Sequence, residues 1–295
     1  MQPFLHFSSS SADDPIIEFF TEAAKAHGAA DVTWLSRSAE LGAAGFCEVK
    51  QSVVLDDWRI AGADIGCDVN LLARAPYKRT LMLCDMDSTI ITGESLDDLS
   101  AMAGIGEAVA SITARAMAGE IDFRQALAER LAMLKGQPAA LLDKLIEGTK
   151  AFDGAAELVA TMRKFDATCL LVSGGFTFLT SDITNRFGFS DHFANQLALA
   201  GDKIAGYAEE PIMDSATKLQ ILNDYRTKLG ISADGVMSMG DGANDIPMLE
   251  AAGLGIAWQG KPLVRQKIGL QLNHSTLCGP LFLQGICESE IVSKI

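Results

Sequence analysis

LMLCDMDSTI, residues 81–90, is the stretch whose reading decides the fold. Three apolar residues and a cysteine run without interruption into Asp85-Met86-Asp87 and then Ser-Thr. A short apolar run of this kind reads as a strand buried on both faces. Its sudden end on two carboxylates needs a reason. Four further runs resemble it: TCLLVSG (168–174), GVMSMGD (235–241), LGIAW (254–258) and, more weakly, GLQLN (269–273). Amphipathic helices are expected between them at 153–166, 176–187, 214–229 and 244–252. Apolar strands alternating with helices predict an α/β fold, a Rossmann-like parallel sheet covered on both faces.

Two segments depart from that alternation. Residues 95–150 carry no strand pattern and read as several helices, among them DFRQALAERLAMLKG with Asp122 as cap and Gly136 as stop. This predicts a helical cap inserted into a core made of 79–94 and 151–295. Residues 194–208, alternating about Gly201-Asp202, read as a hairpin. Ahead of the core, 1–78 read as a small α+β region of unknown role. It includes a helix over 13–28, with Asp13 or Asp14 as cap, Pro15 in the first turn and Gly28 at the end.

Composition narrows the function classes. The 295 residues, 48% hydrophobic and 21% charged, suit a soluble globular chain of more than one domain. A formal charge of −14 argues against nucleic acid as partner, because a polyanion needs a basic surface. No apolar run approaches the roughly 18 residues of a membrane span. The N-terminus lacks a secretory signal. The six cysteines show neither C-x-x-C pairing nor clustering with the four histidines. They read as reduced core thiols of a cytoplasmic protein. Monomer and homodimer remain equally open.

In an open parallel sheet, ligands bind beyond the carboxyl ends of the strands. Here those ends read Asp85-Met86-Asp87, Ser173-Gly174-Gly175 and Gly240-Asp241-Gly242. Any one aspartate is more often a cap or turn residue. Three adjacent strand ends written this way point to a shared site. Its oxygen donors suit a hard divalent cation such as magnesium, which takes a few carboxylates, water and a substrate phosphate. Asp85 can attack phosphorus to give an aspartyl phosphate. Asp87, two residues on in an extended chain, points the same way and can serve as acid and then base. Ser173 offers a hydroxyl, and the glycine-flanked N–H groups before the 176–187 helix offer an anion cradle. Lys218 lies in the first turns of a helix beginning near Asp214. A lone lysine is ordinarily a solvated surface residue, but this site needs a cation.

DMDST, SGG, Lys218 and GDGANDIPML, in that order, resemble the motifs of the haloacid dehalogenase (HAD) superfamily of phosphatases over about residues 80–290. The resemblance implies Asp85 as nucleophile and Asp87 as acid/base. It implies Mg²⁺ held by Asp85, the Asp87 carbonyl and Asp241. The opening strand ends where it does because the reaction is expected there. A phospho-accepting signalling domain also carries aspartates and a lysine, but it lacks D-x-D-S-T and a large cap. A P-loop enzyme is excluded because no G-x-x-x-x-G-K-[ST] occurs.

The cap is expected to choose the substrate. Phe123, Leu127 and Arg130 fall on one helical face. An arginine on an apolar face seeks a carboxylate or phosphate, although it can also snorkel over the core. Glu94 lies where the chain leaves the strand for the cap and can bind a cation. Together they suggest an amino-acid head group beside the phosphate. ITARAMAGEIDFRQALAERLAMLKG (112–136) and ITGESLDDLS (91–100) are similar to the phosphoserine phosphatase family within that superfamily. The similarity implies hydrolysis of O-phospho-L-serine as the last step of serine biosynthesis. It implies Glu94, Met117, Phe123, Arg130, Ser173, Gly174, Lys218 and Asn244 as substrate-binding residues, with Gly175 and Asp245 in support. Another small phosphomonoester, or transfer to an alcohol, is the competing expectation.

Overall fold

The computed structural model describes residues 3–50, 53–117 and 119–293. An N-terminal module is formed by β1 (Phe4–Ser9), α1 (Asp14–Ala26), β2 (Thr33–Ser38), β3 (Gly42–Glu48), α2 (Leu55–Asp64) and β4 (Asp68–Leu72). Its antiparallel sheet runs β2-β3-β1-β4, the split β-α-β arrangement of ferredoxin-like folds. Alternation along β1 explains how it packs. Leu5 and Phe7 join Ile16 and Phe20 in the helix-side core, where Phe7 stacks on Phe20 at 4.9 Å. His6 and Ser8 point the other way and are equally buried.

That second face is covered by the larger, C-terminal part of the chain. Asp68, at the start of β4, accepts hydrogen bonds from the N–H groups of Asn273, His274 and Ser275 at 2.7, 3.0 and 3.0 Å. It also accepts from Ser275 Oγ at 2.7 Å. Asn70 exchanges two 2.8 Å bonds with the Gln271 backbone. The module is therefore built onto the edge of the larger sheet, with Ser8, Asp68 and Asn70 paired across the seam and His6 buried there without a hydrogen-bond partner among the described residues.

The larger sheet runs β11-β10-β9-β5-β6-β7-β8. Its central strand is β5 (Leu81–Cys84), flanked by β6 (Thr168–Phe176) and β9 (Val236–Gly240). Strands β10 (Leu254–Trp258) and β11 (Leu270–Leu272) continue one side in parallel, and β7 (Asp191–Ala200) lies on the other. Only β8 (Lys203–Glu209) is antiparallel, closing the expected hairpin with β7. All four β5 side chains are buried, and their alternation splits them between two cores. Met82 and Cys84 belong to one, Leu81 and Leu83 to the other. The flanking helices α7 (Ala155–Lys164), α8 (Thr177–Phe187), α9 (Ser215–Leu229) and α10 (Ile246–Ala251) lie where the periodicity put them, with the short α11 (Pro262–Lys267) and α12 (Gly279–Phe282) following. Gly154, at φ 89°, starts α7 against the chain at Leu277 and Cys278. A Cβ there would sit 2.9 Å from the Cys278 nitrogen, so glycine is required.

The insertion forms four helices, α3 (Ser95–Met102), α4 (Gly106–Met117), α5 (Phe123–Met133) and α6 (Ala140–Gly148). Asp122 caps α5 by accepting from the Gln125 N–H at 2.8 Å. The two connections to the core pair at Ile91 and Ala151. The cap is also attached elsewhere. The loop after α5 pairs with the hairpin through Gly136 N–H to Ile204 O (2.9 Å) and Ala139 N–H to Asp202 O (2.7 Å). Among the described residues, no helix is long and apolar enough to cross a membrane.

Candidate active site

The three strand ends do converge, but each by its own local device. Strand β5 stops at Cys84, and Asp87 lies in the turn that follows rather than on an extended strand. The Met86 carbonyl accepts from both Ile90 and Ile91 N–H groups, coiling the chain beneath the site. The turn, not the two-residue period of a strand, presents the second carboxylate. On β6 the pairing with β7 shifts between Val172 and Phe176, so Ser173-Gly174-Gly175 arch out of the ladder. Asn195 holds the arch, donating to the Gly174 carbonyl at 2.7 Å and accepting from the Met213 N–H at 2.7 Å. A Cβ on Gly175 would lie 2.8 Å from Asp87 Oδ2 and 3.0 Å from the hydroxyls of Ser173 and Ser95. Only glycine leaves that space open.

Lys218 is not a surface lysine. Asp214 caps α9 through the Thr217 N–H at 3.0 Å and aims its first turn inward. The Lys218 side chain is 1% exposed, 2.9 Å from Asp85 Oδ2 and 2.8 Å from Asp245 Oδ1. Burial opposes its charge, but Asp245 and then Asp85 outweigh burial and hold the ammonium protonated. Asp245 also accepts from the Gly242 N–H at 3.1 Å, which clamps the Gly240-Asp241-Gly242 turn.

Oxygens of Asp85, Asp241 and Asp245 lie within 4.8 Å of one another. Lys218 bridges Asp245 and Asp85, and the remaining oxygens of Asp85 and Asp241 offer an all-oxygen donor set that fits a hard divalent cation. Lys261 contributes a further contact, with its Nζ 3.0 Å from Asp241 Oδ2 and 3.2 Å from Glu94 Oε1. Asp87 accepts from the Ser95 N–H at 2.8 Å, and the Ser173 hydroxyl donates to it at 3.4 Å. Burial, followed by the neighbouring Asp85 charge, pushes its carboxyl up to about 7. Such a group can carry a proton near neutral pH.

The cap lies over this cluster. A Cβ built on Gly174 would be 3.4 Å from the Phe123 ring. Arg130 is 17% exposed and 3.8 Å from Asp97, while Glu94 is exposed and accepts from Ser88 Oγ at 3.1 Å. Asn244 is half-buried beside Asp245. Met117 ends α4; its side chain lies outside the described residues. Asn195, Asp97, Ser95 and Lys261 were not signalled by the sequence. Ser95 and Asp97 lie within the quoted 91–100 stretch without a role assigned to them there, and Asn195 and Lys261 lie outside any motif; all four are recognisable only from their neighbours in space.

The family model of haloacid dehalogenase-like hydrolases matches residues 82–250. The chain belongs to this family. Its curated HAD relatives include a phosphoserine phosphatase of Archaeoglobus fulgidus, 35% identical over 73% of this chain and 63% of that protein. A probable phosphoserine phosphatase of Schizosaccharomyces pombe is 36% identical over 76% of each. The chain spans between 52% and 63% of the length of several curated relatives it matches. A crystal structure of a HAD family hydrolase from Salmonella enterica serovar Typhi covers 96% of this chain and 98% of its own, at 27% identity and a TM-score of 0.84. That likeness extends over the N-terminal module as well as the HAD core and cap.

Proposed function

We propose that this chain hydrolyses O-phospho-L-serine to serine and phosphate through an aspartyl phosphate on Asp85. The observation that carries the substrate assignment is Arg130. It is a mostly buried guanidinium on the cap whose only hydrogen bond to the described protein is a long one, 3.4 Å from Nε to the Ala126 carbonyl. Five donors in a planar fork, held beside a phosphate site, suit a substrate carboxylate. Glu94 takes the substrate ammonium, and Phe123 supplies the apolar wall.

Asp85 is held for attack by the Met86 N–H, which donates to Oδ1 at 2.7 Å, and by Lys218 on Oδ2. Its carboxylate forms the bond to phosphorus as the P–O bond to serine breaks. Asp87 gives its proton to the departing seryl oxygen, then takes one from the water that cleaves the acyl phosphate. The Ser173 hydroxyl, the Gly174 N–H and Asn244 bind the phosphoryl oxygens, and Lys218 offsets their charge. Gly175 and Asp245 keep Asp87 and Lys218 in place. Mg²⁺ would be held by Asp85, the Asp87 carbonyl and Asp241, and supplies further charge neutralisation on the phosphoryl group. This activity would complete serine biosynthesis. Five of the six cysteines are buried and all six are free, which supports a reducing compartment such as the cytoplasm.

The test is phosphate release from both phosphoserine enantiomers, phosphothreonine, phosphoethanolamine and sugar phosphates, with and without Mg²⁺. Phosphoserine should be preferred and the metal required. Asp85→Asn should abolish both turnover and acid-stable phosphate incorporation. A sugar phosphate turned over faster than phosphoserine would overturn the substrate assignment.

A further inference from the structure

Asp97 lies in the first turn of α3, three residues after Glu94. Its Oδ1 is buried without a hydrogen-bond partner among the described residues, and 3.8 Å away stands Arg130 Nη1. The side chain as a whole is 46% exposed, yet this oxygen is turned inward toward the guanidinium rather than to water. Arg130 also lies in the field of Glu94 and Asp87, and in the reading above both must stay available, one for an ammonium and one for a proton. Both carboxylates attract the guanidinium away from a substrate carboxylate.

We propose that Asp97 is a positioning residue for Arg130, giving the guanidinium a resting partner without itself touching substrate. The 3.8 Å separation suits that role. It is close enough for charge to hold the arginine in place. It is also too long for a hydrogen bond, so the fork stays free for a substrate carboxylate to engage in two short bonds. Glu94 has a matching resting partner in Lys261 at 3.2 Å. Each charge of the subsite thus has a protein partner that a zwitterionic head group can replace. This inference rests on the phosphoserine reading and extends it to the residue that keeps the carboxylate subsite selective.

The experiment compares Asp97→Asn, close in shape but uncharged, with the parent on phosphoserine, phosphoglycolate and phosphoethanolamine. These carry carboxylate plus ammonium, carboxylate alone and ammonium alone. kcat/KM should fall about ten-fold for the first two, mainly through KM, and less than about two-fold for the third. Asp97→Glu, which keeps the charge, should retain most of the parental phosphoserine-to-phosphoethanolamine ratio. In an Arg130→Ala background, Asp97→Asn should add nothing. A loss that follows the ammonium would make Asp97 an ammonium ligand, and an equal loss on all three would make it structural. Either result overturns the proposal alone, provided the parent prefers carboxylate-bearing esters. A parent without that preference overturns the substrate reading and this role together.

Discussion

Removing the buried ammonium of Lys218 should unsettle the protein as well as its chemistry. Lys218→Met keeps the length and apolar stem of the side chain but leaves Asp85 and Asp245 facing each other without their cation, at positions only 2.9 and 2.8 Å from where it stood. Breaking a buried ion pair by deleting one partner costs about 3–5 kcal/mol, because the remaining charge is stranded. Urea unfolding of the metal-free protein, followed by tryptophan emission, should show a deficit of that size at pH 8. The deficit should shrink as pH falls. Burial already raises the Asp245 carboxyl, and losing the lysine raises it further. Carboxyls with a raised folded-state pKa contribute stability that is full below their unfolded pKa and lost as pH rises through the folded one. Lys218→Met should therefore be closest to the parent near pH 5. Asp245→Asn added to Lys218→Met should recover part of the loss, since it removes one stranded charge. A single variant within about 1 kcal/mol of the parent at pH 8, with no gain in the double variant, would refute the buried counter-ion argument.

Gly175→Ala should lower kcat by about ten- to a hundredfold with a small change in melting temperature, because the new methyl displaces Asp87 and Ser173 by a few tenths of an ångström rather than filling the core; steady-state kinetics beside a thermal melt checks it, and parental kcat would show that the space is not used. Asp241→Ala should raise the Mg²⁺ concentration needed for half-activation and lower activity at saturation, read from a metal titration; an unchanged titration would remove Asp241 from the ligand set. Asp68→Ala should strand three backbone N–H groups at the seam and leave the Ser275 hydroxyl with Ser8 Oγ alone. The expected outcome is destabilisation of about 2–4 kcal/mol and protease cleavage near residues 269–276, with kcat less affected than stability.

The chemistry was legible because it is concentrated where strands stop. A chain buried on both faces must be apolar until it leaves the sheet, so polar residues at three successive exits stand out. Asp85, Ser173 and Asp241 were found in that way, and the helices between them by their period. The same reasoning misplaced the cause of the Asp85–Asp87 pairing, since a turn closed by the Met86 carbonyl presents the second aspartate. Lys218 was visible only as a lysine that the site required. Its burial depends on how Asp214 sets the direction of α9, a three-dimensional fact that no spacing records.

The N-terminal module was hard to read for a related reason. Its sheet is buried on both sides, but the side against the core carries His6, Ser8, Asp68 and Asn70, which in a sequence look like loop or surface residues; Ser8, Asp68 and Asn70 are hydrogen-bonded across the seam, whereas neither His6 ring nitrogen has a partner among the described residues. Strands β1 and β4 therefore lost the alternation of apolar and polar residues that marks a one-sided sheet. The polar seam also bears on what the module does to the enzyme. Asp68 reads the backbone of 273–275 just beyond β11, and β11 pairs with β10, which leads directly into Lys261. The Lys261 N–H donates to the Asp241 carbonyl at 2.9 Å and its ammonium touches both Asp241 and Glu94. Removing the module would leave the edge of the sheet with unpaired N–H groups two strands from Asp241. The module is thus part of the scaffold that holds the site, and the core should be made and assayed as one piece with it.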